Sequence, residues 1–248
     1  MVDASPLIEV RQLFKRFGLK NIIRGLDFQV FPGEFVALLG PNGAGKTTFL
    51  RILASLSRPT FGVVKISGYL LPVQAAAVRR KLGFVSHVPL LYGDLTAEEN
   101  LQFYGRMFNL HGLKPRIQEV LDLVGLSSRG TDLVRTFSRG MQQRLAIGRA
   151  VLHDPEVILF DEPHTGLDQD ACVMLDQVLR QVAARGRTIV MTSHDLARAA
   201  DLASRFDVLS YGKITASAHR EDINPDELLS FYREALKLTN LEPGGAFA

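Results

Sequence analysis

Apolar and polar residues alternate around Leu7, Ile8, Val10 and Leu13, and again at Leu26, Phe28 and Val30, the pattern of half-buried antiparallel strands. Phe31, Pro32 and Gly33 signal a turn. Residues 35–39 then run apolar without alternation, which predicts a strand covered on both faces. A glycine-rich loop follows, and residues 47–56 continue as a helix with Phe49, Leu50, Leu53 and Leu56 on one side. Short strands are expected at 63–66 and 82–85. From Thr96 the period changes: Thr96 and Glu99 form a capping-box pattern, and Leu101, Tyr104, Met107 and Phe108 recur at helical spacing. Further helices are expected at 116–124, ending at Gly125, and at 138–152. Strands resume at 157–160, 188–192 and 206–210, with helices at 173–184 and 196–202 between them. A tail helix at 225–236 precedes a Pro-Gly-Gly segment expected to fray.

Strands alternating with helices imply an α/β fold with a parallel sheet. The helical stretch at about 88–150 separates two groups of strands. The chain therefore reads as a single domain over 1–248, with a core at about 1–87 and 151–212, a helical insert at 88–150 and a tail at 213–248.

Composition adds limits rather than identity. The 248 residues are 46% hydrophobic and 22% charged, ordinary for a globular chain and contrary to wholesale disorder. A net charge of +3 is too slight to argue for nucleic-acid binding, and none is expected. The single cysteine, Cys172, excludes an internal disulfide and fits a reducing compartment. The first ten residues carry Asp3, Pro6 and Glu9 without a basic-then-apolar leader pattern, and no apolar run approaches the roughly 18 residues of a membrane span.

Candidate chemistry begins in the glycine-rich loop. Gly40, Pro41, Asn42, Gly43, Ala44, Gly45, Lys46, Thr47 and Thr48 match G-x-x-x-x-G-K-[ST] between an apolar strand and a helix. Such a loop turns backbone N–H groups around a phosphate chain, and the helix aims its positive end at the same phosphates. Lys46 supplies a charge to the β- and γ-phosphates and Thr47 a hydroxyl for Mg²⁺. The apolar strand at 157–160 ends in Asp161 and Glu162: the first suits a Mg²⁺ shell, the second a general base polarising water.

With these residues in place, the sequence resembles the ATPase subunits of ABC transporters over nearly its whole length. Ser138, Arg139, Gly140 and Met141 resemble the family's signature, Thr165 to Asp168 its D-loop, and Ser193-His194-Asp195 its switch histidine. Lys15 to Gly18 resemble the loop whose aromatic ring, here Phe17, stacks on adenine. The resemblance implies a P-loop NTPase fold: a RecA-like, mostly parallel core, an N-terminal antiparallel β subdomain and an inserted α-helical subdomain. It also implies MgATP hydrolysis between two cassettes packed head to tail, as a homodimer or with a related cassette. Lys46 of one chain and Ser138 of the other flank each ATP. Glu162, His194 and Lys46 are then catalytic, and Asp168 couples the two sites.

The pair is expected on the cytoplasmic face of a membrane, driving a separate permease subunit that docks near residues 89–92 and Phe103-Tyr104, although that aromatic stretch also suits core packing. Arg139 and Met141 replace the commonest glycine and glutamine of the signature, and Thr165 the usual serine. His87 stands where the family usually has a glutamine that meets Mg²⁺, and contact through a water is expected of it. The signature, His87 and the short tail look more like exporters, with the pattern around Ser86-His87 similar to haem-exporter cassettes. The alternative is a soluble single-cassette ABC-type ATPase in cofactor assembly or nucleic-acid processing. An unrelated P-loop kinase leaves Ser138, Gly140 and His194 unexplained.

Overall fold

The computed structural model describes residues 5–224 and 227–240. The N-terminal hairpin pairs β1 (Ile8–Phe17) with β2 (Lys20–Val30), and β4 (Phe61–Ile66) and β5 (Tyr69–Leu71) complete a four-stranded antiparallel sheet in the order β2-β1-β4-β5. The second sheet has the order β10-β9-β3-β8-β7-β6. Its strands β3 (Phe35–Leu39), β6 (Leu82–Val85), β7 (Val157–Asp161), β8 (Thr188–Thr192) and β9 (Arg205–Ser210) run parallel, and only the edge strand β10 (Lys213–His219) is antiparallel.

The unbroken apolar strands owe their composition to burial on both faces. On one face of the parallel sheet, Val36, Leu38, Leu159 and Val190 join the antiparallel sheet and α1 (Lys46–Leu53) in one core. Phe28 and Phe49 meet edge to face there at 5.2 Å. On the other face, Phe35, Ala37, Ile158, Phe160 and Met191 pack with α3 (Ala97–Met107), α4 (Leu113–Leu123), α5 (Arg139–Val151), α6 (Gln169–Ala184), α7 (Leu196–Leu202) and α8 (Leu228–Asn240). Each buried leucine or phenylalanine contributes about 1.5–3 kcal/mol by transfer from water. The three helices α3, α4 and α5 follow β6 and precede β7, where the insert is expected.

Several boundaries shift for local reasons. Helix α1 stops before Leu56, because Ser55 takes a left-handed φ of 60° and Leu56 N–H turns back to Arg51 O. Leu56 is exposed instead of packed. Helix α6 starts at Gln169 rather than 173, because the Asp168 carboxylate caps it by accepting from Ala171 N–H at 2.8 Å. Met107, expected on a packed stripe, is exposed. Helix α8 begins at Leu228; residues 225–226, where the sequence placed its start, and the Pro-Gly-Gly segment lie outside the described residues. Helix α2 (Ala75–Lys81) and strands β5 and β10 were not anticipated. Helix α2 buries only Val78, and β10 is a half-buried edge strand whose inward positions are Ile214 and small alanines, so neither carries a strong apolar signal.

Candidate functional site

Parallel strands deliver their chemistry where they end, and three adjacent strand ends meet here. After β3 the chain enters the loop 40–45. A Cβ on Gly40 would lie 2.2 Å from Leu209 O, so β9 leaves room for nothing larger than glycine. Gly45 caps α1 with φ 110° and supplies no side-chain hydrogen bond, which leaves the N–H groups of the first turn directed into the loop. Lys46 is only 6% exposed, and its Nζ donates to Gly40 O at 2.7 Å and to Pro41 O at 3.2 Å. Burial lowers the lysine's pKa, while the carboxylates of Glu162 and Asp161 act in the opposite direction. A cavity of about 260 Å³ is lined by Lys20, Ile22, Pro41, Asn42, Gly43, Gly45, Lys46, Thr47, Thr48 and Glu162.

Strand β7 ends in Asp161, which is 2% exposed and accepts from two hydroxyls: Thr47 Oγ1 and Thr192 Oγ1, each at 3.0 Å. The same Thr192 oxygen accepts the Glu162 backbone N–H at 2.9 Å. Glu162 itself has φ 49°, a left-handed conformation that costs a non-glycine residue about 1–2 kcal/mol. That turn brings its carboxylate back over the loop, 3.9 Å from Lys46 Nζ. Its other oxygen accepts from Thr165 Oγ1 at 3.2 Å and lies 3.5 Å from His194 Nδ1.

Of the residues singled out in the sequence, Lys46, Thr47, Asp161, Glu162 and His194 thus converge. Pro41, Asn42, Gly43, Gly45 and Thr48 line the same cavity, whereas Phe17, His87 and 138–141 stand apart from it. Phe17 is 55% exposed near the tip of the first hairpin, with Lys15 Nζ 4.5 Å above its ring. His87 is exposed in the loop after β6, which neighbours β7. Ser138 caps α5 by accepting from Met141 N–H at 3.2 Å. A Cβ on Gly140 would come within 2.7 Å of Ala171 Cβ, and one on Gly166 within 2.3 Å of the Arg139 guanidinium, so 138–141 rests on the loop 165–168 and on α6. Among the described residues no hydrogen bond or ion pair joins 138–141 to the loop 40–48. Thr192 was missed. Only its register, opposite Asp161 on neighbouring parallel strands, reveals it. Lys20 and Ile22 were missed as well: they reach the cavity because β2 packs against the loop, where a Cβ on Gly45 would lie 3.2 Å from Ile22 O.

The family model for ABC transporters matches residues 23–165. The chain is 36% identical to the linearmycin resistance ATP-binding protein LnrL of Bacillus subtilis (strain 168) over 88% of its length and 70% of that protein. It is 35% identical to the Nod factor export ATP-binding protein I of Ralstonia nicotianae over 92% of its length and 71% of that protein. Among solved structures, it superposes on an ATP-binding subunit of an ABC transporter with TM-score 0.81 at 31% identity, covering 92% of this chain and 99% of that one. A dimeric cassette, MJ0796, in a post-hydrolysis state bound to ADP and Pi, gives TM-score 0.76 at 28% identity over 86% of this chain and 98% of that one.

Proposed function

The chain belongs to the ABC transporter ATP-binding family, and from that premise we propose that it is the ATPase subunit of an exporter, paired with a second cassette and docked on a membrane permease. The observation that carries the reading is the convergence of Lys46, Thr47, Asp161, Glu162 and His194 at the ends of three neighbouring strands. Lys46 and the N–H groups of 40–48 bind the β- and γ-phosphates, and Phe17 stacks on the adenine. Thr47 and Asp161 present hard oxygen ligands of the kind Mg²⁺ prefers. Bound there, the ion neutralises phosphate charge. With the ion bound, His87, in the loop after β6, would reach its shell through a water.

Glu162 orients the attacking water and takes its proton as the water oxygen bonds to the γ-phosphorus and the bond to the ADP oxygen breaks. His194, 63% exposed beside Glu162, contacts the γ-phosphate. Ser138, Arg139, Gly140 and Met141 of the opposite cassette close the site, since the N-terminus of α5 is a second anion-directed end. Asp168, at the start of α6, couples the two sites.

None of the described helices is long and apolar enough to cross a membrane. In this reading the permease meets the chain at a surface, on the cytoplasmic side. A groove of about 370 Å³ between core and insert, lined by Phe84, Leu90, Tyr104, Met107 and Arg149, suits a short helix of such a partner. Tyr92 and Phe103, 5.0 Å apart and both exposed, extend its apolar rim.

The test is Glu162→Gln. It is expected to bind MgATP, to hydrolyse it at least about a hundredfold more slowly, and to accumulate as a dimer in size-exclusion chromatography at saturating ATP. A variant that turns over normally, or stays monomeric at high protein concentration, overturns the reading.

A further inference from the structure

Behind the site, a second group of side chains ties together the two loops that carry Glu162 and His194. His164 Nε2 donates to Asp176 Oδ1 at 2.7 Å, and Arg198 Nη1 donates to the other oxygen at 2.5 Å. Arg198 continues to Asp195: its Nε lies 3.1 Å from Oδ2, and its backbone N–H donates to Oδ1 at 3.1 Å. Its Nη2 also reaches Gln169 Oε1 at 3.2 Å. His164 follows Glu162 in the loop out of β7, and Asp195 follows His194 in the turn out of β8. A closed ring results. At its front His194 Nδ1 stands 3.5 Å from Glu162 Oε2, and at its back the same two loops are bound through Asp176 and Arg198.

Stability alone does not account for this arrangement. The side chains of Asp176 and Arg198 are only 9% and 15% exposed. A buried ion pair is often no more stable than apolar residues of the same volume. Aspartate is also a poor residue for a helix interior, yet Asp176 lies within α6. What such a pair does supply is fixed geometry, since charge-assisted bonds to both oxygens of one carboxylate hold two donors in one mutual position.

We propose that Asp176 is a positioning residue for ATP hydrolysis: by gripping His164 and Arg198 at once it sets the separation of Glu162 from His194. The proposal rests on the reading of those two residues given above. Asp176→Asn keeps the volume and breaks the double grip. In steady-state ATPase assays of the full chain, kcat is expected to fall about tenfold to a hundredfold, with KM for ATP held within about twofold. In a His194→Ala background the same substitution is expected to leave the residual turnover unchanged, because both act on one pair. His164→Gln, whose amide N–H reaches the carboxylate, retains turnover, whereas His164→Leu loses it as Asp176→Asn does. That pair carries the comparison if Asp176→Asn fails to fold. An unchanged kcat, a rise in KM alone, or an equal loss with and without His194 overturns the proposal. Glu162→Gln separates the two ideas: normal turnover in that variant refutes the catalytic reading itself. Loss of turnover there, with Asp176→Asn unaffected, refutes only the positioning role.

Discussion

His153 is a side chain whose chemistry is set by burial. Its ring stacks on Phe108 with centroids 3.9 Å apart, and its Nε2 lies 3.2 Å from Leu82 O. Removal from water pushes its pKa down to about 4, against a weaker upward pull from the Leu82 carbonyl. Between about pH 6.5 and 4 the unfolded chain therefore binds a proton that the folded chain refuses. Stability contributed by the neutral ring is complete above that window and is lost as pH falls through it, by at most about 3 kcal/mol. Urea unfolding of wild type and His153→Leu across pH 4–7 should show the difference between them changing in that sense; parallel curves would contradict it. At this scale the sequence was most informative where a residue's role follows from its type and its chain neighbours. Lys46 and Asp161 are legible in that way. Thr192 is not, because a threonine ending an apolar strand acquires meaning only when Asp161 lies opposite it.

Elements show the same division. Thr96 begins α3 with both hydrogen bonds of a capping box: Glu99 N–H donates to Thr96 Oγ1 at 3.1 Å, and Thr96 N–H to Glu99 Oε2 at 2.8 Å. Thr96→Ala is expected to lower unfolding free energy by about 0.5–2 kcal/mol, read as a fall in the urea midpoint, with ATP binding unaffected. Where an element buries a regular face or carries a cap, its sequence announces it, as β3, α3 and α5 do. Helix α2 buries one residue and edge strand β10 turns mainly small residues inward, so only a weak pattern marks them. The loop 162–168 is a third kind of element. Its path depends on the left-handed Glu162, on partners from β8 and α5 that are distant in sequence, and on the bond of His164 to Asp176 in the helix α6 that follows it.

For the whole molecule, the shared-site reading assigns the N-terminal ends of α1 and α5, which share no hydrogen bond or ion pair among the described residues, unequal tasks at one nucleotide. Lys46→Ala is expected to abolish ATP binding by the monomer, because the phosphates lose their nearest charge. Ser138→Arg should leave that binding within about twofold and still abolish turnover, because it obstructs only the opposite cassette's γ-phosphate. Equilibrium titration with a fluorescent ATP analogue, beside ATPase assays, distinguishes the two; equal loss of affinity in both variants argues against a site between chains. The sequence by itself determined the α/β class, the order of the parallel strands β3, β6, β7, β8 and β9 with the helical insert between β6 and β7, and the phosphate loop with its acidic partner strand. These follow from local periodicity, from turn chemistry and from motifs whose residues lie side by side. Tertiary structure alone decided that Thr192 joins Asp161 to Glu162, that Gly40 yields to Leu209 O, and that Asp176 and Arg198 bind the loops behind His194. Those contacts depend on the register of parallel strands and on the burial of charged groups between helices, and neither leaves a periodic trace along the chain.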